Sequence, residues 1–204
     1  MFSLRACALT ITTCVVLVLP ATAAAQAPAQ NGSGGAVFAP TPTPTPAPTD
    51  IIVPGSVAQL LPDGTAAAPA DAPPQVQAAV WAANTIQTLP YRYGGGHRSF
   101  ISRTGYDCSG TVSFALNAAG LLKRPLDSGS FMRWGRKGKG DWITVYTNPG
   151  HAYAVIAGLR LDTSVAGMSR QKSNVAASAF ESGPRWRPMP RPARGFVKRH
   201  PVSF

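Results

Sequence analysis

The chain has 204 residues, with 19 lysines and arginines against 8 acids for a net charge of +11, three cysteines and three histidines. So few Cys and His exclude a multi-disulfide framework and a zinc site at ordinary ligand spacing. So basic a chain meets anionic surfaces readily, whether cell-wall polymer, phospholipid or nucleic acid.

Residues 1–24 read as an export signal. Arg5 supplies the positive start and Ala6 to Leu19 an apolar run. That run is shorter than the ~20 residues a bilayer-spanning helix needs. Pro20 breaks it, and Ala21-Thr22-Ala23 or Ala23-Ala24-Ala25 offers a small-x-small cleavage site. No later stretch is long and apolar enough to span a membrane. The expectation is a secreted or cell-wall-associated protein without a transmembrane segment after cleavage. Cys7 and Cys14 leave with the signal, so Cys108 remains as a lone thiol.

Residues 25–74 read as a disordered Pro/Ala/Thr-rich linker. The run Thr41-Pro42-Thr43-Pro44-Thr45-Pro46 removes backbone donors and favours extended, polyproline-like chain. Residues 75–204 are left as one domain of ordinary size.

Within it, Pro73-Pro74 opens a helical pattern through Val76, Val80, Ala83, Ile86 and Leu89, which Pro90 ends. Tyr91 to His97 is a glycine-rich turn, without the Lys-Ser/Thr pair that a phosphate-cradling loop requires. A second helix starts near Cys108, buries Val112, Ala115, Leu116 and Ala119, and is capped by Gly120. Asp127 or Ser128 caps a short helix over Phe131, Met132 and Trp134. The period then changes to that of strands: Trp142–Tyr146, His151–Ala157, a turn at Gly158, and a third strand from Leu159 to Asp162. Helices first and strands after predict an α+β domain with an antiparallel sheet.

Two basic clusters remain: Arg133, Arg136, Lys137 and Lys139, and a C-terminal set from Arg185 to Arg199 separated by prolines. Either is a solvated loop or a contact for anionic cell-wall polymers. The C-terminal set reads as an exposed basic tail, with a final strand through Trp186 as the competing possibility. Trp134, Trp142 and Trp186 read as core or cleft walls rather than nucleobase platforms, which puts nucleic acid behind wall polymers as a partner.

A lone thiol in an exported chain is a small core residue, half of an intermolecular bridge, or a reactive group. Its position in Tyr106-Asp107-Cys108-Ser109-Gly110 favours the third, because a helix N-terminus stabilises thiolate over thiol. A thiol nucleophile needs a base and a group that orients the base. His97, His151 and His200 are the candidates. His151 begins a strand, and Asp162 lies eleven residues on, where a hairpin at Gly158 brings both to one edge of the sheet. His97 beside Arg98 reads as a solvated loop residue and His200 as incidental.

Three stretches together resemble the NlpC-type family of bacterial cell-wall cysteine peptidases. They are Leu89-Pro90-Tyr91-Arg92-Tyr93-Gly94-Gly95, the Tyr106–Gly110 nucleophile motif, and Gly140-Asp141-Trp142 followed by the His151 strand. The resemblance covers about residues 75–165. It implies a papain-like α+β fold with N-terminal helices and the nucleophile helix packed on an antiparallel sheet. It also implies hydrolysis of amide bonds in peptidoglycan stem peptides, without a cofactor or metal. Cys108 would be the nucleophile, His151 the base and Asp162 the third, polar residue. Tyr91, Asp107 and Ser109 would line the substrate cleft. The third position in the family is often histidine, and the Arg/Pro-rich segment after Ser182 has no counterpart in the family pattern. The alternative is an inactive wall-binding homologue that works through its basic surface.

Overall fold

The computed structural model describes residues 50–167, 181–188 and 190–203. The export signal and the first half of the expected linker, residues 25–49, lie outside these described residues.

The helix expected after Pro73 is α1, Pro74–Asn84. Proline in the first turn costs no hydrogen bond, because that N–H has no intrahelical partner. Val76, Ala79, Val80 and Ala83 are buried, the i, i+3, i+4, i+7 stripe of a helix lying on a core. The helix stops short of Pro90, and short turns carry the chain on through Ile86 and Leu89. The second helix, α2, runs from Cys108 to Ala118, and Gly120 past its end has φ 70°. A third, α3, is the single turn Ser128–Phe131, capped by Asp127, whose carboxylate accepts from Ser130 N at 2.7 Å.

The linker expectation fails over its second half. Three short strands form there: β1 Ile52–Val53, β2 Gln59–Leu60 and β3 Ala66–Pro69. They make a sheet of order β1-β3-β2, parallel on one side of β3 and antiparallel on the other. Ala66, Ala67 and Ala68 are at most 1 % exposed. An alanine run has no bulk and no period, so composition alone reads as linker. Small side chains are what let the β3 backbone lie against α1. Asn84 fixes that contact, donating Nδ2–H to Ala66 O at 2.9 Å and accepting Ala66 N–H at 2.8 Å.

The main sheet has six strands in the order β4-β9-β5-β6-β7-β8, and every pairing is antiparallel. Its strands are β4 Arg136–Lys137, β5 Ile143–Asn148, β6 His151–Ile156, β7 Leu159–Asp162, β8 Arg185–Arg187 and β9 Val197–His200. Ala157 at φ 46° and Gly158 at φ 83° make the left-handed pair that turns β6 into β7. Alternation sorts the faces. Ile143, Val145, Ala154, Ile156, Leu161 and Trp186 join the apolar core that α1 and α2 share. Tyr146, His151, Tyr153, Arg160, Asp162 and Arg187 hold the opposite parity. The protein is α+β, with α2 packed against β6 and β7.

The segment read as an exposed basic tail supplies two strands of this sheet. Trp186 is fully buried, and Arg185 and Arg187 are 6 % and 1 % exposed. These arginines tolerate burial because carbonyls take up their donors. Arg185 Nη1 donates to Leu89 O at 2.9 Å, and Arg187 Nε donates to Asp162 O at 3.0 Å. Trp186 Nε1 donates to Asn84 Oδ1 at 2.8 Å, so Asn84 joins β3, α1 and β8. Among the described residues no helix is long and apolar enough to cross a membrane.

Candidate active site

Cys108 is the first residue of α2, a free thiol 9 % exposed. The start of the helix is held from three sides through Asp107. Its carboxylate accepts Gly110 N–H at 2.7 Å, the usual N-cap bond, and Gly94 N–H at 3.0 Å, while its own N–H donates to Gly95 O at 3.2 Å. The glycine-rich loop is thereby pinned to the helix. Glycine is required at the contact: a Cβ on Gly110 would strike the carbonyl oxygen of Gly95. Tyr91, at the entry to this loop, pairs with Tyr106 as an isolated bridge.

His151 opens β6, directly opposite Asn148. Asn148 Oδ1 accepts from both Gly150 N and His151 N, at 3.0 and 2.8 Å, so Asn148 closes the turn rather than orienting the ring. The ring is oriented by Asp162, with Nε2 donating to Oδ1 at 2.9 Å. That leaves Nδ1 as the nitrogen open to sulfur, and Cys108 and His151 are near enough to shift each other's titration.

The electrostatics of the three groups agree in sign. Burial raises the Cys108 thiol, but the hydrogen bond to His151, a backbone bond from Ala152 and the imidazolium charge outweigh it, and the thiol falls below its ordinary value. Burial lowers His151, but the hydrogen bonds to Asp162 and Cys108 and their negative charges raise it to about 9. Burial raises Asp162, and the His151 hydrogen bond and charge, the Ser164 N–H and Arg160 turn it downward. The resting state this favours is thiolate, imidazolium and carboxylate in a row.

Asp162 has a second set of partners. Its side chain is fully buried; Arg191 Nη1 donates to Oδ2 at 3.1 Å, and Arg160 Nε stands 3.8 Å from the same oxygen. Arg191 lies over the rings of Tyr153 and Phe196 at 5.6 and 5.2 Å, and Phe196 meets the His151 ring edge-on at 6.3 Å. The connection between β8 and β9 thus covers the back of the His–Asp pair. Its arginine was visible in the sequence only as one charge in a basic run.

In front of the thiol lies a cleft of about 540 Å³, whose walls include Tyr91, Asp107, Cys108 and Ser109. Tyr91 is 44 % exposed; burial, then the charges of Cys108 and Asp107, push its phenol up, so it stays an O–H donor at neutral pH. Asp107 and Ser109 are nearly enclosed, and their polar atoms turn to a residue that sequence reasoning left in solvent. His97 Nε2 lies 2.9 and 3.0 Å from the two Asp107 oxygens and 3.2 Å from Ser109 Oγ. His97 lines the same cleft. No local signal marks it: His97 reaches the cleft through the fold-back of Gly94–Gly96 onto Asp107. His200 sits apart at the end of β9, its ring on Pro201 O.

No protein-family model matches the chain, and no curated protein matches it.

Proposed function

We propose that the protein is an exported cysteine peptidase of the NlpC type, with a papain-like arrangement, that hydrolyses amide bonds in peptidoglycan stem peptides. One observation carries the reading: a thiol at the first residue of α2 that is lowered by His151, whose Nε2 is fixed by Asp162 at 2.9 Å. The three sequence stretches that resemble the family bear on the same place: the glycine-rich loop, the helix start and the histidine strand.

The chemistry follows from the ion pair. The Cys108 thiolate attacks the amide carbonyl and forms a C–S bond. The carbonyl electrons move to oxygen, and backbone N–H groups at the start of α2 hold the oxyanion. As the tetrahedral adduct collapses, the C–N bond breaks and imidazolium His151 gives its proton to the leaving amine. Neutral His151 then takes a proton from water as hydroxide adds to the thioester; the second adduct collapses by breaking the C–S bond, which releases the acid and restores thiolate beside imidazolium. Asp162 accepts from Nε2 throughout and keeps Nδ1 facing the sulfur. Tyr91 offers an exposed phenol to substrate at the cleft wall. Asp107 and Ser109 act through the position of His97 and of the helix start.

The test is digestion of purified peptidoglycan by the protein and by Cys108→Ala, with released fragments identified by mass. Fragments with a new free amine and carboxylate at one stem-peptide bond, absent from the Ala digest, are the expected outcome. The wall-binding alternative predicts sedimentation with peptidoglycan and no fragments from either protein.

A further inference from the structure

The glycine-rich loop borders two depressions. One is the cleft in front of Cys108; the other is a groove of about 470 Å³, within the range of ligand sites. Tyr93 and Gly94 line both, so the groove continues the cleft. Its other walls include Arg92, Arg98 and Ile101. The loop that shapes it is fixed by Tyr106, which is 1 % exposed. The Tyr106 hydroxyl donates to Phe100 O and accepts Ser102 N–H, both at 2.9 Å, and Ser102 Oγ donates to Gly105 O at 2.8 Å. The groove is therefore preformed.

Two properties mark the groove as a contact surface. Tyr93 and Ile101 are the most exposed large apolar side chains among the described residues, at 90 % and 74 %, and both line it. Apolar side chains gathered at one concave place in water carry more meaning than the same residues scattered singly. Aromatic and arginine side chains together are the composition that supplies binding energy at interfaces. The second property is charge. Residues 92–106 carry Arg92, Arg98 and Arg103 and no Asp or Glu. No acid lines the groove, and Arg92 and Arg98 are exposed, with no side-chain hydrogen-bond or ion-pair partner among the described residues. Their donors are open to a ligand in the groove.

We infer that this groove holds the part of the substrate peptide that carries a free carboxylate, with Arg92 and Arg98 on the carboxylate and Tyr93 and Ile101 against the apolar chain beside it. A guanidinium matches its parallel N–H donors to the two oxygens of a carboxylate. Continuity through Tyr93 and Gly94 lets one extended peptide occupy the groove while another of its amides lies at Cys108. The assignment rests on the peptidase reading for the identity of the peptide. It adds a preference which that reading leaves open: acidic peptides over their amides.

Peptidoglycan fragments made soluble by cutting the glycan strands, with peptide carboxylates either free or converted to primary amides by carbodiimide and ammonia, test the assignment. Both are titrated calorimetrically, at constant ionic strength, into the protein carrying Cys108→Ala, which binds without turnover. The free acids should bind about tenfold tighter than the amides, the size of one charge-assisted hydrogen-bonded pair. Adding Arg92→Gln and Arg98→Gln together should erase most of that preference, and Tyr93→Ala should weaken binding of both forms. The matched change Arg136→Gln with Lys137→Gln in exposed β4 should leave the preference intact. Equal affinity for acids and amides, a wild-type preference in the folded Arg92→Gln, Arg98→Gln protein, or an equal loss from the β4 change would overturn the assignment. Fragment release by wild type tests the peptidase reading separately. Acids and amides bound and cut alike would remove the groove and keep the peptidase; a carboxylate preference in binding, with no cutting by wild type, would keep the groove and remove the peptidase.

Discussion

His151 and Asp162 lie on adjacent strands and on one face of the sheet, and their side chains meet at 2.9 Å. The register Ala154↔Leu161 puts Asp162 across from Tyr153, two residues along β6 from His151. A carboxylate in that place is a diagonal neighbour, within reach of an imidazole but not of a shorter side chain.

Replacing Asp162 therefore affects two things. Asp162→Asn keeps an acceptor for Nε2 but leaves Arg160 and Arg191 around an uncharged group. Removing one partner of a buried ion pair typically costs about 3–5 kcal/mol. Asp162→Asn should fold with a lowered denaturation midpoint and turn over slowly, and Asp162→Ala should lose both more severely. Urea unfolding beside fragment release measures the two effects. Wild-type stability in Asp162→Asn would show that the arginines find compensation elsewhere.

The dependence on pH has a defined sign. His151 is raised to about 9, so the stability from its partners is full below its ordinary ~6.5 and is lost as pH rises through about 9. Asp162 is depressed, so its contribution holds above its ordinary ~3.9 and is lost as pH falls through its lowered value. Turnover needs thiolate and imidazolium together. It should hold through neutrality and fall on an alkaline limb near 9. A pH series of fragment release and of thermal midpoint checks both limbs; an activity that keeps rising well past that limb would deny the ion pair.

His151→Ala removes the hydrogen bond and the charge that hold the thiol down. Alkylation of Cys108 by iodoacetamide at neutral pH should slow by about tenfold or more. A rate unchanged from wild type would mean that the helix start alone sets its reactivity.

The C-terminal strands are structural. Ending the chain before Pro184 removes Trp186 from the core and β9 from the edge of β5, and the domain should not fold. The single change Trp186→Ala should cost about 3–5 kcal/mol through the cavity it leaves. Circular dichroism and denaturant titration decide it. A native-like truncation would return the segment to the role of a basic tail.

How much of this was legible depended on side-chain pattern. The three helices and β5, β6 and β7 were visible because Val76, Val112, Ile143 and Ile156 recur with the periods of helix and strand. The Cys108–His151–Asp162 site was visible because a cap sequence, a strand start and a hairpin turn each have local chemistry. Three features had no such signal. The alanines of β3 carry no period. Arg185-Trp186-Arg187 alternates as a strand should, but buried arginines read as solvent-exposed charge until their carbonyl partners are known. His97 reaches the cleft only because the glycine loop folds back on Asp107, a long-range contact that no local pattern encodes.

The measurement that bears most directly on the central claim is mass analysis of peptidoglycan digested by wild type, Cys108→Ala and Cys108→Ser. The account predicts one new stem-peptide cleavage from wild type alone. Serine should fail as alanine does, because an imidazole placed to pair with a thiolate is a poor base for an alcohol of much higher pKa. Equal fragment release by wild type and a folded Cys108→Ala protein would contradict it.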